Sequence, residues 1–211
     1  MMDPISARLG AHYDETFRLH GATSQGVDWG ADAGRLALRY DRMLDIARAE
    51  ANTGWSLLDV GCGFGGLLEH ARARGMQPKY YGVDVSESMI EWARGHHRDA
   101  SFECRDILAG PSADSFDYVV CNGILTQKLD TPLREMDEFA QRLIRAMYSI
   151  ASKGVAFNIM TTKVNFFSQN LYYRNPIEML GWCMSELTPH VRLDHSYPLY
   201  EYTLYLYRTP Q

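Results

Sequence analysis

The sequence predicts an α/β fold: a seven-stranded, mostly parallel sheet with helices on both faces, closed by a C-terminal antiparallel hairpin. Three observations carry this. Short apolar runs alternate with segments of helical period along the 211 residues. A glycine cluster, Gly61, Gly63, Gly65 and Gly66, falls at a strand-to-helix turn. The last two extended runs are separated only by Tyr197-Pro198, too short for the long crossover that parallel neighbours need.

Composition bounds the rest. With 46% hydrophobic and 22% charged residues, the chain reads as an ordinary globular protein, which excludes disorder, collagen and coiled coil. Folding at this length removes roughly 70% of the extended-chain surface from water, so no metal or disulfide staple is needed. The 21 Lys+Arg against 26 Asp+Glu, a net charge of −5, argue against a broad basic face for nucleic acid. Cys62, Cys104, Cys121 and Cys183 are scattered without a C-x-x-C pair, which argues against a zinc site and for reduced thiols. The first residues lack the apolar core of a signal peptide, and no apolar run reaches the roughly 18 residues of a membrane span, so a cytoplasmic protein is expected.

The elements follow in order. Leu36, Ala37, Tyr40, Met43, Leu44 and Ala47 recur at helical spacing and predict a helix over Ala31–Ala51, ended by Thr53-Gly54. Trp55–Val60 is a buried strand entering the glycine cluster, and Phe64–Arg74 is a helix capped by Gly75. Lys79–Val85 is the second strand, and Ser86 caps a helix carrying Met89, Ile90 and Ala93 inward. His96-His97 at the end of that helix reads as a solvated terminus that suits the helix dipole. Ala100–Cys104 is the third strand, followed by a loop through Gly110-Pro111; Phe116–Cys121 is the fourth, ending at Asn122-Gly123. Thr131-Pro132 starts a helix with Glu135, Asp137 and Glu138 near its positive end. Gly154–Met160 is a strand buried on both faces. Asn175-Pro176 starts the last helix, and Val191–Ser196 with Leu199–Arg208 form the hairpin. Residues 1–52 are expected to form a helical extension or lid, and residues 53–211 one compact unit.

Glycines at a strand-to-helix turn permit positive φ and let a ligand approach the backbone and the N–H groups of the helix start. With Asp84 about 20 residues downstream, the cluster also satisfies the dinucleotide fingerprint, so the glycines alone do not choose a cofactor. Asp59, two residues before Gly61, places a carboxylate where it would order the loop and face an ammonium group. The long leading segment and the absence of Y-x-x-x-K weigh against a nicotinamide-dependent oxidoreductase.

The strings LLDVGCGFGG at 57–66, YYGVDVSESMIEWAR at 80–94, RDIL at 105–108 and FDYVVCNGIL at 116–125 together resemble the class I S-adenosylmethionine-dependent methyltransferases, which have a Rossmann-like fold. The resemblance is specific over Trp55–Leu125 and implies S-adenosylmethionine as cofactor. It implies that Gly61, Cys62 and Gly63 pass the methionine part, with Asp59 nearby. Asp84 would accept from the ribose hydroxyls, Val85 and Met89 would lie against the adenine, and Asp106 would face the adenine amino group with Ile107 on the ring. Asn122 would sit beside the sulfonium. For Asp84 or Asp106 taken singly, capping of the following helix or turn is an equally physical role.

The acceptor side is less legible. His20–Gly30 is rich in Gly and polar residues, and Tyr13, Phe17, Asp28 and Trp29 are its candidate lid contacts, or Trp29 simply anchors a surface loop. Val164–Pro176 carries Phe166, Phe167, Tyr172 and Tyr173, too many aromatics for an exposed loop unless they cover the sheet or surround a sulfonium by cation–π attraction. On the last strand Tyr202–Tyr207 read as sheet cover, whereas Tyr200 and Glu201 fall near the active edge. His20 and Asp28 are candidate bases, with Tyr172 or Tyr173 as orienting hydroxyls. The function expected is methyl transfer to a small-molecule acceptor by in-line displacement. The alternatives are a cyclase that consumes the cofactor itself, as azetidine-2-carboxylate synthases do, and a non-catalytic cofactor-binding regulator. Neither a nucleic-acid nor a membrane partner is expected, and oligomeric state is not legible.

Overall fold

The computed structural model describes residues 1–50, 53–110 and 114–211. The expected helix end at Ala51, the last residues of the 1–52 extension and the Pro111 turn therefore lie outside the described residues. Among the described residues eight strands make one sheet: β1 Thr53–Val60, β2 Gln77–Asp84, β3 Ser101–Cys104, β4 Phe116–Cys121, β5 Ala151–Thr161, β6 Tyr173–Arg174, β7 Val191–Asp194 and β8 Glu201–Tyr207. Their order is β3-β2-β1-β4-β5-β8-β7, with β6 added on β5. All pairings are parallel except β5–β8 and β7–β8, which are antiparallel. The hairpin and the Rossmann-like parallel sheet are as expected. The eighth strand is the difference. Two residues of β6 are too short to leave any alternation in the sequence, and they pair with Met160 and Thr161 at the end of β5.

Helices cover both faces. Helix α1 (Pro4–His20), α5 (Leu133–Ile150) and α6 (Pro176–Glu186) bury Leu9, Met136, Phe139, Ile144 and Met179 against Val119, Val155 and Leu204 on one side. Helix α2 (Ala33–Leu44), α3 (Gly66–Ala73) and α4 (Glu87–His96) bury Met43, Leu67, Ala71 and Ile90 against Leu57, Tyr80 and Ala156 on the other. The starts follow the chemistry of the sequence: Asp3, Asp32, Ser86 and Asn175 each cap a helix through the side-chain oxygen, and Pro4 and Pro176 take first-turn positions where no N–H is needed. Strand β8 is buried throughout, so Tyr202, Tyr205 and Tyr207 are sheet cover. Among the described residues no helix is long and apolar enough to cross a membrane.

Because β1 pairs with β2 on one side and β4 on the other, the strand order reverses between β1 and β4. The loops leaving their carboxyl ends diverge to opposite faces and open a crevice, which is where ligands gather in open α/β sheets.

Candidate functional site

A cavity with about 880 Å³ of space, its mouth included, occupies that crevice, within the range of small-molecule sites. Its floor is the glycine turn. Gly61 and Gly63 have φ of +74° and +54°, a backbone region costly for any residue with a Cβ. A Cβ on Gly61 would lie 2.7 Å from the Ile124 side chain, and one on Gly63 would lie 3.3 Å from Val27. The turn is pinned from below, where Gly61 and Cys62 donate to the Val83 carbonyl at 2.8 and 3.1 Å. His97 supports it from the side: the ring is 4% exposed and its Nε2 lies 3.2 Å from the Phe64 carbonyl. His97 is thus a buried prop for the loop and not the solvated terminus expected, while His96 stacks on Trp92 with ring centroids 3.6 Å apart. Gly61→Ala is expected to cost about 1–2 kcal/mol from the left-handed backbone alone, read as a fall in thermal midpoint. An unchanged midpoint would mean the turn relaxes without strain.

Three carboxylates line the cavity. Asp59 is 2% exposed and accepts from the Tyr80 hydroxyl at 2.6 Å. Burial is the main influence and pushes its carboxyl up to about 7, aided by Asp84 and opposed by the Tyr80 hydrogen bond. Between the ordinary carboxylate range and about pH 7 the native state therefore holds a proton that the unfolded chain has released, so stability falls as pH rises through that window. Asp59→Asn should flatten this slope in thermal melts run across pH, and a slope identical to wild type would contradict the assignment. Asp84 Oδ2 accepts from Gly63 N at 2.8 Å and Oδ1 from Ser86 N at 2.9 Å, and burial raises its carboxyl too. Asp106 Oδ1 caps the turn at Leu108 N, and its Oδ2 accepts from the backbone N–H of Asp3, each 2.9 and 2.8 Å away. Both the capping role and a cavity position are therefore real for Asp84 and Asp106, since each oxygen retains a second acceptor direction. At the β4 end, Asn122 Oδ1 is buried with no hydrogen-bond partner among the described residues. A buried orphan acceptor in a ligand cavity is an unmet demand for a donor or a positive group.

Helix α1 forms the roof. Ser6, Leu9, Gly10 and Tyr13 share one helical face and line the cavity. Gly10 allows the approach, since a Cβ there would lie 2.8 Å from Val85. Asp14 ties the helix to α4 by accepting from Ser86 and Ser88, and Asp3 forms an ion pair with Arg142 at 2.7 Å. Burial pushes the Tyr13 phenol well above its ordinary range, with Asp28 and Asp84 adding to it, so Tyr13 keeps its proton. Trp29 closes the β4 side. Its indole lies against Gly123, and Arg39 stacks on it at 3.7 Å from the ring centroid. Glu201 holds that guanidinium, with Arg39 Nε 3.0 and 3.1 Å from its two oxygens.

The ten residues expected at the cofactor, Asp59, Gly61, Cys62, Gly63, Asp84, Val85, Met89, Asp106, Ile107 and Asn122, all line this one cavity, joined by Tyr13 and Trp29. The remaining expectations are corrected. Tyr172 is fully buried in the core and donates to Asp137 at 2.7 Å, away from the cavity. The cause is local: Tyr172 N donates to the Thr126 carbonyl and the next residue enters β6, which turns the Tyr172 side chain under the sheet. Tyr173 packs edge-on to Phe167 and accepts from Ser168 N. Phe166 and Tyr200 are 71% and 50% exposed and do not reach the cavity. Phe17 stacks on Phe64, outside the lining. His20 is exposed at the C-terminal end of α1, where it suits the helix dipole. Asp28 sits at the rim, at φ +59°, bonded to His12 and Gln127. His12 and Gln127 were not singled out in the sequence, and Tyr40 and Arg105 entered only as part of a helical period and of the RDIL string. The spacing of Ser6, Leu9, Gly10 and Tyr13 was a legible helical face, but nothing local marks His12.

A family model described as a methyltransferase domain matches residues 51–197. A Mycobacterium tuberculosis protein named as a methyltransferase is 30% identical over 156 residues, covering 71% of this chain and 91% of the relative. The ubiquinone biosynthesis O-methyltransferase of Coxiella burnetii is 28% identical over 182 residues, 75% of each chain. The fold is similar to that of magnesium protoporphyrin IX methyltransferase from Synechocystis with bound S-adenosylmethionine, at TM-score 0.64 and 15% identity over 95% of this chain and 97% of that one.

Proposed function

Given that the chain belongs to the methyltransferase-domain family, we propose that it transfers the methyl group of S-adenosylmethionine to a small-molecule acceptor. The observation that carries this is the convergence of three carboxylates, a glycine turn and an orphan Asn122 oxygen on one cavity at the strand-order reversal. The donor set fits the cofactor: Asp59 suits an ammonium, Asp84 a pair of ribose hydroxyls, Asp106 an amino group, and Val85, Met89 and Ile107 an apolar ring. When bound, S-adenosylmethionine supplies an electrophilic methyl on a sulfonium.

The protein's part is placement and exclusion of water. Asn122 holds a carbonyl oxygen at the reacting end, and the N–H of Gly123, donated to Asn158 Oδ1 at 2.9 Å, fixes that turn. Tyr13 and Trp29 close the space above it, so the acceptor meets walls in place of solvent. The aromatic enclosure expected from Phe166, Phe167, Tyr172 and Tyr173 is supplied instead by Tyr13 of α1 and by Trp29 of the loop that follows it. Helix α1 and the loop after it, as far as Trp29, act as the lid, held by Asp3, Asp14 and Gly10.

The test is calorimetric titration with S-adenosylhomocysteine, followed by incubation with S-adenosylmethionine and an acceptor panel read by mass. Binding with methylated product supports the reading. Methylthioadenosine formed without an acceptor would replace it with cofactor cyclisation, and binding without any turnover would favour a regulator.

A further inference from the structure

One side chain at the Asn122 end of the cavity is fixed by three distant parts of the chain. Trp29 lines the cavity, and the edge of its indole faces Gly123: a Cβ on Gly123, at φ +108°, would lie 3.0 Å from Trp29 Cζ2. Gly123 follows Asn122 on the turn that leaves β4, so the indole closes on the reacting end. Behind the ring stands Arg39 of α2, its guanidinium carbon 3.7 Å from the ring centroid. Arg39 is 8% exposed and is not among the residues that line the cavity, so the indole separates the cation from that space. Glu201 of β8 holds the guanidinium at 3.0 Å, and Arg39 Nη1 donates to the Arg35 carbonyl at 3.2 Å. The loop is set as firmly. Asp28 at φ +59° and Gly30 at φ +71° flank Trp29, whose N donates to the Ser24 carbonyl at 2.8 Å. A left-handed non-glycine residue persists only where its surroundings enforce it, so this indole is presented against a backbone cost.

Resting on the methyltransferase reading, we propose that Trp29 is the specificity-determining residue of the acceptor side: its indole caps the space beyond the transferred methyl, and Arg39, held by Glu201, is the positioning residue that keeps it there. Stacking fixes the plane of the ring, and a guanidinium presents a flat face that neither a lysine nor an apolar chain reproduces. The contact with Gly123 fixes how far inward the edge reaches, since any side chain at 123 would push it back. In-line displacement needs the acceptor atom close behind the methyl, on the side away from sulfur. With Trp29, Val27, Tyr13 and Ile124 as walls, the opening admits an acceptor whose reacting atom stands on a slim apolar group. It rejects one that carries a branch or a second ring beside that atom. Such an acceptor could enter only by displacing the indole, which would break the stack and uncover the Arg39–Glu201 pair in place of an apolar wall.

The test uses two stable analogues of the cofactor in which a protonated tertiary amine replaces the sulfonium, one carrying methyl on that nitrogen and the other benzyl. Both have the same charge, so the ratio of their dissociation constants, from calorimetric titration of the full chain, reads the space beyond the methyl. Wild type is expected to bind the benzyl analogue at least about tenfold more weakly than the methyl one, because the wall cannot give way. Trp29→Ala should bring the two within about threefold. Trp29→Phe, which keeps a smaller ring on Arg39, should lower the ratio in part and carries the test if Trp29→Ala melts early. Arg39→Met with Glu201→Leu keeps the indole but removes its support, and should lower the ratio too, whereas a purely structural ion pair would leave it unmoved. A ratio near one in wild type, or one unchanged by either substitution of Trp29, would overturn the proposal, as would rejection of both analogues by a chain that binds S-adenosylhomocysteine. A ratio unchanged in the double variant would overturn the positioning role of Arg39. Failure of S-adenosylhomocysteine itself to bind would instead remove the methyltransferase reading beneath it.

Discussion

Asp84→Asn is expected to weaken binding of S-adenosylhomocysteine about 100-fold. The carboxylate is buried at the end of β2 and already accepts from Gly63 and Ser86. Two ribose hydroxyls would use its remaining lone pairs. Hydrogen bonds to a charged group are worth roughly 1.5–3 kcal/mol each, and about 1.4 kcal/mol is tenfold in affinity, so losing part of two gives the stated factor. An amide in this place also turns an N–H toward the N–H of Gly63 or Ser86, loosening the glycine turn. Calorimetric titration beside a thermal melt of the unliganded variant separates the two effects. A loss under threefold, with the melt unchanged, would remove Asp84 from the cofactor.

The largest effect on stability is expected from Glu201→Ala. Arg39 and Glu201 are 8% and 1% exposed, and their partnership joins α2 to β8. Removing the carboxylate leaves a guanidinium buried without its counter-charge, which costs about 3–5 kcal/mol and lowers the thermal midpoint by about 10 °C for a chain of this size. Burial lowers the Arg39 guanidinium and raises the Glu201 carboxyl despite their mutual attraction, so desolvation outweighs pairing on both sides. Arg39→Met with Glu201→Leu should therefore recover most of the midpoint lost in the single variant. What the double variant should not recover is the stack of Arg39 on Trp29, so it is expected to melt near wild type and still turn over acceptor poorly. A double variant as unstable as Glu201→Ala would show that the pair stabilises the fold outright.

These two sites differ in how they could be read. Asp84 was legible because its partners are close in the chain: strand, carboxylate, cap and helix follow one another, and the chemistry repeats wherever that geometry is used. Glu201 stood out only by its place at the start of β8, and its partner Arg39, 162 residues earlier, not at all. The aromatic segment 164–176 misled for the same reason. Its composition asked for something to cover, but Tyr172 is turned under the sheet by a bond to Thr126 and by β6, neither of which leaves a periodic trace.

The sequence by itself determined the parallel sheet, the closing hairpin, the helix caps at Ser86 and Asn175 and the ten residues that line the candidate cavity. Each of these depends on interactions between near neighbours: alternation, helical period, a cap within one turn, or glycine where φ must be positive. Only the tertiary structure decided which helix roofs the cavity, that Trp29 and Tyr13 rather than Phe166, Tyr172 or Tyr173 enclose it, and that His12 meets Asp28 and Gln127. Those contacts join residues 16 and 99 positions apart. They form because burying one face of α1 against the sheet leaves its adjacent face at the rim. That outcome is set by the packing of whole elements, and no local pattern encodes it.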